Sequence, residues 1–263
     1  MKFNYRGSEI DIVGFSEEDH IYRIISENKC FYEIDLLEYI YFITKGKRKK
    51  EKGNICIDVG ANIGNHSVFF GKFIADHIVS IEPNSKVLPT LKENLSKNLD
   101  NYTLFECGLG GASAYGKSVM PEGSSSNVGM AQVELLEEKT KDSFLIRTLD
   151  DVFVEWLKEK KVEGEITVVK IDVEGMELDV LKGSSMILKK YKPHIFVEAA
   201  TREHFLELSN YLEKLGYISL CNWAETPVYH FAFSPSIFLK TKIYLYKLKY
   251  FLKLLYWRLS AIF

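Results

Sequence analysis

The chain has 263 residues, 46% of them hydrophobic and 27% charged, enough for one large α/β domain or for a domain with appendages. Its 34 Lys and Arg against 36 Asp and Glu leave a net charge of −2, so composition gives no general pull toward nucleic acid. Four scattered cysteines (Cys30, Cys56, Cys107, Cys221) without a C-x-x-C pair, a polar start without a signal-peptide core, and no apolar run of about 18 residues predict a reduced, cytoplasmic protein that lacks a cysteine metal site and does not span a membrane.

Residues 1–14 read as a small β element and 17–45 as a helix-rich lead-in. Lys45 to Gly53 is a charged stretch, read as a solvated linker rather than a nucleic-acid patch given the neutral balance of the whole. The core then runs from 53 to 235, with 236–263 as a separate C-terminal helix.

The first core strand, 55–59 (Ile55-Cys56-Ile57-Asp58-Val59), breaks on Gly60 and runs into a helix expected from about Asn62. Gly60 and Gly64 remove side chains where the backbone turns tightly or a ligand approaches, and the free N–H groups of the helix start face whatever lies over the loop. Gly60-x-x-x-Gly64 matches neither a dinucleotide fingerprint nor a phosphate loop. The second strand, 78–82, closes on Glu82-Pro83-Asn84. An acid ending the second strand of a β-α-β unit can accept hydrogen bonds from a ribose diol, so Asp58 and Glu82 fall where an adenosine cofactor would lie; the plainer reading of Glu82 is a helix cap near Ser85.

A helix to about Asn98 and a strand at 103–107 follow. Residues 108–147 interrupt the alternation: Gly108 to Ser113 reads as loop, and Pro121 to Gly129 as a flexible polar stretch that forms either a lid or substrate wall or a plain surface loop. Alternation resumes with a helix at 149–160, a strand at 166–172, a helix at 176–190 broken near Gly183, a strand at 194–198, a helix at 201–215, a strand at 217–221, and a last, antiparallel strand at 228–233.

Period-two alternation puts Lys170, Asp172 and Glu174 toward one side at the carboxyl end of their strand, where open α/β sheets bind ligands, and Glu198 ends the next strand. One of these carboxylates could be a general base, or Asp172, Glu174 and Glu198 could hold Mg²⁺ or Ca²⁺. The structural alternative has Lys170 neutralising Asp172 and Glu174 capping the next helix. His66 and His194 read as packed or capping, with His194 at the wrong end of its strand for the crevice; His204 and His230 carry no spacing signal.

Taken together, Phe31-Tyr32-Glu33, Ile57-Asp58-Val59-Gly60-Ala61-Asn62-Ile63-Gly64, Ile81-Glu82-Pro83, Arg147-Thr148-Leu149-Asp150 and Lys170-Ile171-Asp172-Val173-Glu174-Gly175-Met176-Glu177 with Leu181-Lys182-Gly183 resemble the FkbM-type S-adenosylmethionine-dependent methyltransferases, over roughly residues 30–200. The resemblance implies a Rossmann-like class I methyltransferase sheet with its last strand antiparallel. It places Asp58, Gly60, Asn62 and Gly64 around the methionine part of the cofactor and Glu82, with Pro83, at the ribose. It sets Cys107 and Gly108 beside the adenine and has Tyr32 and Glu33 close over the cofactor, with Asp172 in contact with it. Members of the family often O-methylate sugars. The expectation is therefore an O-methyltransferase of a sugar hydroxyl in a surface glycan or its lipid-linked precursor, with Asp172 as first and Glu174 as second choice for the base. A methyltransferase of a small secondary metabolite and a non-catalytic membrane-bound adapter are the alternatives; a nucleic-acid methyltransferase lacks its basic groove and a dehydrogenase its dinucleotide loop.

Residues 237–263 read as one helix in which Leu245, Leu248, Leu252, Leu255 and Leu259 form a stripe, with lysines, amphipathic aromatics and no acid. Such a helix could lie on an anionic membrane at the inner surface, form a homodimer, or pack on the domain.

Overall fold

The computed structural model describes residues 1–16, 19–44, 53–120, 132–160 and 164–260, with side chains omitted at 159–160 and 256–260. In chain order the elements are β1 (Lys2–Tyr5), β2 (Ser8–Asp11), α1 (His20–Asn28), α2 (Ile34–Thr44), β3 (Gly53–Val59), α3 (Asn65–Phe73), β4 (His77–Ile81), α4 (Leu88–Asn98) and β5 (Tyr102–Phe105). There follow β6 (Gly108–Leu109), β7 (Ala114–Val119), β8 (Gln132–Leu136), β9 (Phe144–Arg147), α5 (Leu149–Lys160), β10 (Gly164–Ile171), α6 (Glu177–Lys182), α7 (Ser185–Tyr191), β11 (His194–Glu198), α8 (Arg202–Lys214), β12 (Tyr217–Trp223), β13 (Val228–Phe233) and α9 (Ile237–Ser260).

Seven strands form one sheet in the order β12-β13-β11-β10-β3-β4-β5, in which only β13 runs against the rest. This is the Rossmann-like class I methyltransferase arrangement the sequence leads one to expect, antiparallel strand included. From β3 the chain winds outward through β4 to β5, then returns to start the other half at β10. The two halves part between β3 and β10, which is where such sheets bind ligands. Both faces are covered: Cys56, Val168 and Phe196 pack toward α2 and α3, while Ile57, Val169 and Val197 pack toward Trp156, Leu188 and Leu212. Burial on both faces is why these strands read as continuous apolar runs rather than as alternating ones.

The lead-in is bound to this core by specific contacts. Asn94 on α4 accepts from the Val13 amide (2.7 Å) and donates to the Val13 and Ile63 carbonyls, and Asn98 brackets Asp11 in the same way. Phe31 meets Phe3, Tyr5 and Phe69 edge-on. A buried chain runs from the Tyr39 hydroxyl through His230 (2.7 Å) to His194 (2.9 Å), joining α2 to the sheet, a network without a spacing signal in the sequence.

Three expectations are corrected. The helix after the glycine loop starts at Asn65, not near Asn62, because Asn62 (φ 50°) and Gly64 (φ 89°) both take the left-handed conformation and delay it. The helix after Glu82 starts at Leu88 with a proline in its first turn, not near Ser85. The interruption is not all loop: β6-β9-β7-β8 make a second, four-stranded sheet. Its strands are short, partly exposed and carry Gly108 and Gly116, so no apolar pattern marks them. The stretch at 121–129 and the linker at 45–52 lie outside the described residues.

Candidate active site

Register builds the site. Val197, Ile171, Val59, Ile81 and Phe105 stand side by side across the five parallel strands. The residues that follow them, Glu198, Asp172, Gly60, Glu82 and Glu106, therefore form a row along the carboxyl edge. A crevice of about 430 Å³ opens over the centre of this row. That size lies within the range for small-molecule sites. Tyr32, Glu33, Gly60, Asn62, Glu82, Pro83, Cys107, Gly108, Asp172, Glu174 and Glu198 all line it. Of the residues expected at the cofactor, Asp58 and Gly64 do not line it. Asp58 is wholly buried beneath the wall, where its Oδ2 accepts from Ser67 Oγ (2.6 Å) while Oδ1 has no hydrogen-bond partner. Gly64 acts through the backbone, as the left-handed entry to α3.

Gly60 must be glycine on two counts. Its φ is +77°, and a Cβ there would lie 1.7 Å from the Asp172 carbonyl oxygen. The turn lets the amides of Gly60 and Ala61 both donate to the Ile81 carbonyl, which holds the loop against β4.

Glu82 is 7% exposed. Its Oε2 accepts from the Asn62 amide and its Oε1 from the Asn84 amide, both at 2.9 Å. Burial pushes its carboxyl up to about 7, against the pull of those two amides. Glu82 does not cap a helix; it cross-links the loops after β3 and β4 and presents its carboxylate to the crevice.

On the other side of Gly60, Lys170 is fully buried and its Nζ lies 2.9 Å from Asp172 Oδ2. Burial opposes the ammonium, but the carboxylates of Asp172, Asp58 and Glu33 outweigh it and hold Lys170 above the usual lysine range. Burial likewise opposes the Asp172 carboxylate, yet Lys170 and a hydrogen bond from Glu198 keep it below the usual range. Burial and the Asp172 charge push Glu198 up, so the two form a pair of one ionised and one protonated carboxyl. Glu174 is raised to about 7 by burial and by the charges of Asp172 and Glu177. Asp172, Glu174 and Glu198 offer oxygens within 4.8 Å of one another, the set that the sequence offers for a divalent cation as the alternative to a general base. The neutralising role foreseen for Lys170 is present. Glu174 does not cap the next helix, whose N-cap Met176 has no side-chain cap; Glu177 instead ties the preceding loop, accepting from the amides of Val173 and Gly175. That leaves Glu174, at φ 53°, facing the crevice.

The third wall comes from the lead-in. Asn65 at the start of α3 exchanges two hydrogen bonds with the Tyr32 backbone (3.0 and 3.1 Å) and so fixes the loop before α2. This brings Glu33 Oε2 to 3.1 Å from His66 Nε2, an ion-pair distance without hydrogen-bond geometry, so both buried atoms keep unused hydrogen-bonding capacity. His66 is thus packed, as expected, but it also lines the crevice. Glu225 and Thr226, in the turn between β12 and β13, line it too and carry no motif. Burial pushes the Cys107 thiol up to about 11, leaving a neutral, apolar surface beside Gly108.

A family model described as the Methyltransferase FkbM domain matches residues 58–219. The match leaves out Phe31-Tyr32-Glu33 and runs past the residue-200 limit drawn from the motifs. The hexuronic acid methyltransferase AglP of Haloferax volcanii is 32% identical over 143 residues, 53% of this chain and 53% of that protein. The methyltransferase sdnD of Sordaria araneosa is 30% identical over 152 residues, 48% of this chain and 59% of that protein. The chain thus spans about half the length of the curated relatives it matches. A crystal structure of methyltransferase FkbM from Methylobacillus flagellatus KT aligns at a TM-score of 0.46 and 20% identity, over 73% of this chain and 48% of that one.

Proposed function

The chain belongs to the FkbM methyltransferase family, and from that premise we propose that it is an S-adenosylmethionine-dependent O-methyltransferase acting on a sugar hydroxyl of a surface glycan or its lipid-linked precursor. One observation carries the reading: the carboxylates along the carboxyl edge of the sheet fall into two groups on either side of Gly60. Glu82 lies on one side and Asp172, Glu174 and Glu198 on the other.

The residues present fit the cofactor. Glu82 offers a buried acceptor to a ribose diol. Glu33 Oε2 and His66 Nε2, both with unused hydrogen-bonding capacity, offer an acceptor and a ring nitrogen to the zwitterionic methionine end. Cys107 and Gly108 give a small apolar surface for a base. When bound, S-adenosylmethionine supplies a sulfonium methyl that is already activated.

The chain's own residues then have two tasks: to orient an acceptor oxygen away from water, and to take its proton. Carboxylates suit an acceptor rich in adjacent hydroxyls, because each can accept from two donors. Asp172, ionised beside Lys170, orients the acceptor. Glu174 takes the proton, since a base works best when its pKa lies near the working pH. This reverses the order of choice that the sequence suggests. Lys170 already places a cation within the carboxylate cluster; Mg²⁺ at Asp172, Glu174 and Glu198 is the other way to favour the acceptor's oxyanion, and activity in EDTA separates the two. The sugar class is supported by the relative that methylates hexuronic acid.

The test is transfer of a labelled methyl group from S-adenosylmethionine to a panel of saccharides, lipid-linked oligosaccharides and small hydroxylated metabolites. Label on a sugar oxygen is the expected result. Label only on non-sugar metabolites would favour the small-metabolite reading. Cofactor binding without transfer to any class would favour a non-catalytic adapter.

A further inference from the structure

We propose that α9 is a docking helix for an anionic phospholipid surface. The proposal is independent of which hydroxyl is methylated.

One face of α9 is already used. Ile243 is buried, Tyr246 stacks on Phe42 (4.4 Å between ring centroids), and the Tyr250 hydroxyl donates to Asp35 (2.7 Å). At about 100° per residue the remaining apolar side chains, apart from Leu239 and Leu254 on the docked half, fall on the opposite half of the helix. There Tyr244, Leu245, Leu248, Phe251, Leu252 and Leu255 all face solvent, with Leu245 and Leu252 each 56% exposed. This includes most of the leucine stripe evident in the sequence, so the helix packs on the domain through its other side. Ile237 and Phe238, at 84% and 78%, are the most exposed large apolar residues described. A contiguous apolar strip of this kind marks an interaction site.

Charge decides the partner. Lys240 lies along one border of the strip and Lys249 and Lys253 along the other, all three exposed; Lys242 and Lys247 stand on the same borders, but their ammonium groups turn to the domain, onto the Phe42 ring and carbonyl and the Trp223 ring. Two basic rows argue against a membrane helix only when the orientation of the helix is unknown. With the apolar strip outward, Lys240, Lys249 and Lys253 sit at headgroup height on its two borders, where lysine stems lie along the apolar boundary and the ammonium groups meet lipid phosphates. The helix, Ile237–Ser260, holds no Asp or Glu. Pairing with a second copy would set lysine rows against each other without an acid to offset them, whereas an anionic bilayer offers the missing charge. Among the described residues no helix is long and apolar enough to cross a membrane.

Docking there would also orient the crevice. Asp35, bonded to Tyr250, is two residues past Glu33 of the crevice wall. Trp223, whose ring meets that of Tyr250, is two residues before Glu225 of the same wall.

The test is flotation of the full chain with vesicles of phosphatidylcholine alone or with about one third phosphatidylglycerol. Binding to the anionic vesicles, at least about tenfold weaker on the neutral ones, is expected. The triple variant Lys240→Glu/Lys249→Glu/Lys253→Glu should lower binding about a hundredfold at low salt. The triple variant Leu245→Glu/Leu248→Glu/Leu252→Glu changes only exposed positions, and circular dichroism checks that it folds; it should abolish binding at any salt. Failure of the wild type to bind anionic vesicles, or binding that survives the leucine variant, overturns the proposal. Sedimentation equilibrium is run alongside: a dimer dissociated by the leucine variant, together with no vesicle binding, would assign the strip to a second copy instead.

Discussion

Gly60 and Asp172 meet where the two halves of the sheet part: a β-carbon on Gly60 would fall 1.7 Å from the Asp172 carbonyl oxygen, in a backbone whose φ is +77°. That carbonyl belongs to the adjoining strand end and cannot swing away as a side chain could. Gly60→Ala is expected to spread β3 from β10 and to cost well over the roughly 1–2 kcal/mol of the left-handed conformation alone. Gly64→Ala shares the positive φ, but its β-carbon meets only the end of Leu91, at 2.8 Å, and that side chain can move. Urea denaturation of the two variants should therefore rank Gly60→Ala far below Gly64→Ala. Equal losses would mean that the contact with Asp172 does not constrain the sheet.

Glu82 combines burial with a fixed place between two loops, and its pKa of about 7 gives it two opposite pH effects. In the free protein the folded state holds the Glu82 proton more tightly than the unfolded state, whose value is 4.5. The stability this contributes is fully present below pH 4.5 and is lost as pH rises through about 7. A ribose diol needs the ionised carboxylate as acceptor, so affinity for S-adenosylmethionine should rise over the same interval, by about tenfold between one unit below the pKa and the alkaline plateau. Glu82→Gln keeps the shape and removes both dependences. Calorimetric titration should show cofactor affinity lower by about ten- to a hundredfold, for a charged hydrogen bond of roughly 1.5–3 kcal/mol, and no longer dependent on pH near neutrality. An unchanged dissociation constant would remove Glu82 from the cofactor site.

Lys170, buried, and Asp172, half-buried at the crevice, are one unit, and either residue alone is a liability. Lys170→Met leaves three carboxylates without their buried countercharge, and Asp172→Asn leaves a buried ammonium without its nearest partner. Each single change is expected to cost about 3–5 kcal/mol. The double variant should cost less than the sum of the two by about 1–3 kcal/mol. A double-mutant cycle in urea measures this directly, and strict additivity would show that the 2.9 Å contact is not an energetic pair.

Much of this site is legible in the chain because parallel strands in register turn sequence endings into a spatial row. Strand ends at Val59, Ile81, Ile171 and Val197 are marked by apolar runs that stop on Gly60, Glu82, Asp172 and Glu198, and pairing in register does the rest. Helix starts were harder to place, because Asn62 in a left-handed conformation has no sequence mark as plain as glycine. The wall made by Glu33 and His66 was half legible: Glu33 stands in a motif, but its pairing with His66 depends on Asn65 holding the Tyr32 backbone, a contact across 33 positions. Glu225 and Thr226 reach the crevice from a turn between two strands, and no periodicity reports which way a turn points. The small sheet β6-β9-β7-β8 leaves no mark in the sequence because its strands bury too little to alternate clearly.

The distinction between Asp172 and Glu174 gives the sharpest test of chemistry. Both line the crevice, but Lys170 keeps Asp172 ionised well below neutrality, while burial and two neighbouring charges raise Glu174 to about 7. A carboxylate with its charge already committed to a lysine is a poor proton acceptor; one that titrates at the working pH is a good one. With an accepted saccharide, kcat for the wild type should fall as pH drops through about 7, because Glu174 is then protonated. Glu174→Gln should lower kcat by about a hundred- to ten-thousandfold and remove that acid limb, while affinity for S-adenosylmethionine stays near the wild-type value. Glu174 is half-buried on a loop and its carboxylate is not used as a cap, so the variant should fold normally. If instead the acid limb survives in Glu174→Gln, the proton goes elsewhere, and the pair of Asp172 and Glu198 is the next acceptor to test by the same profile.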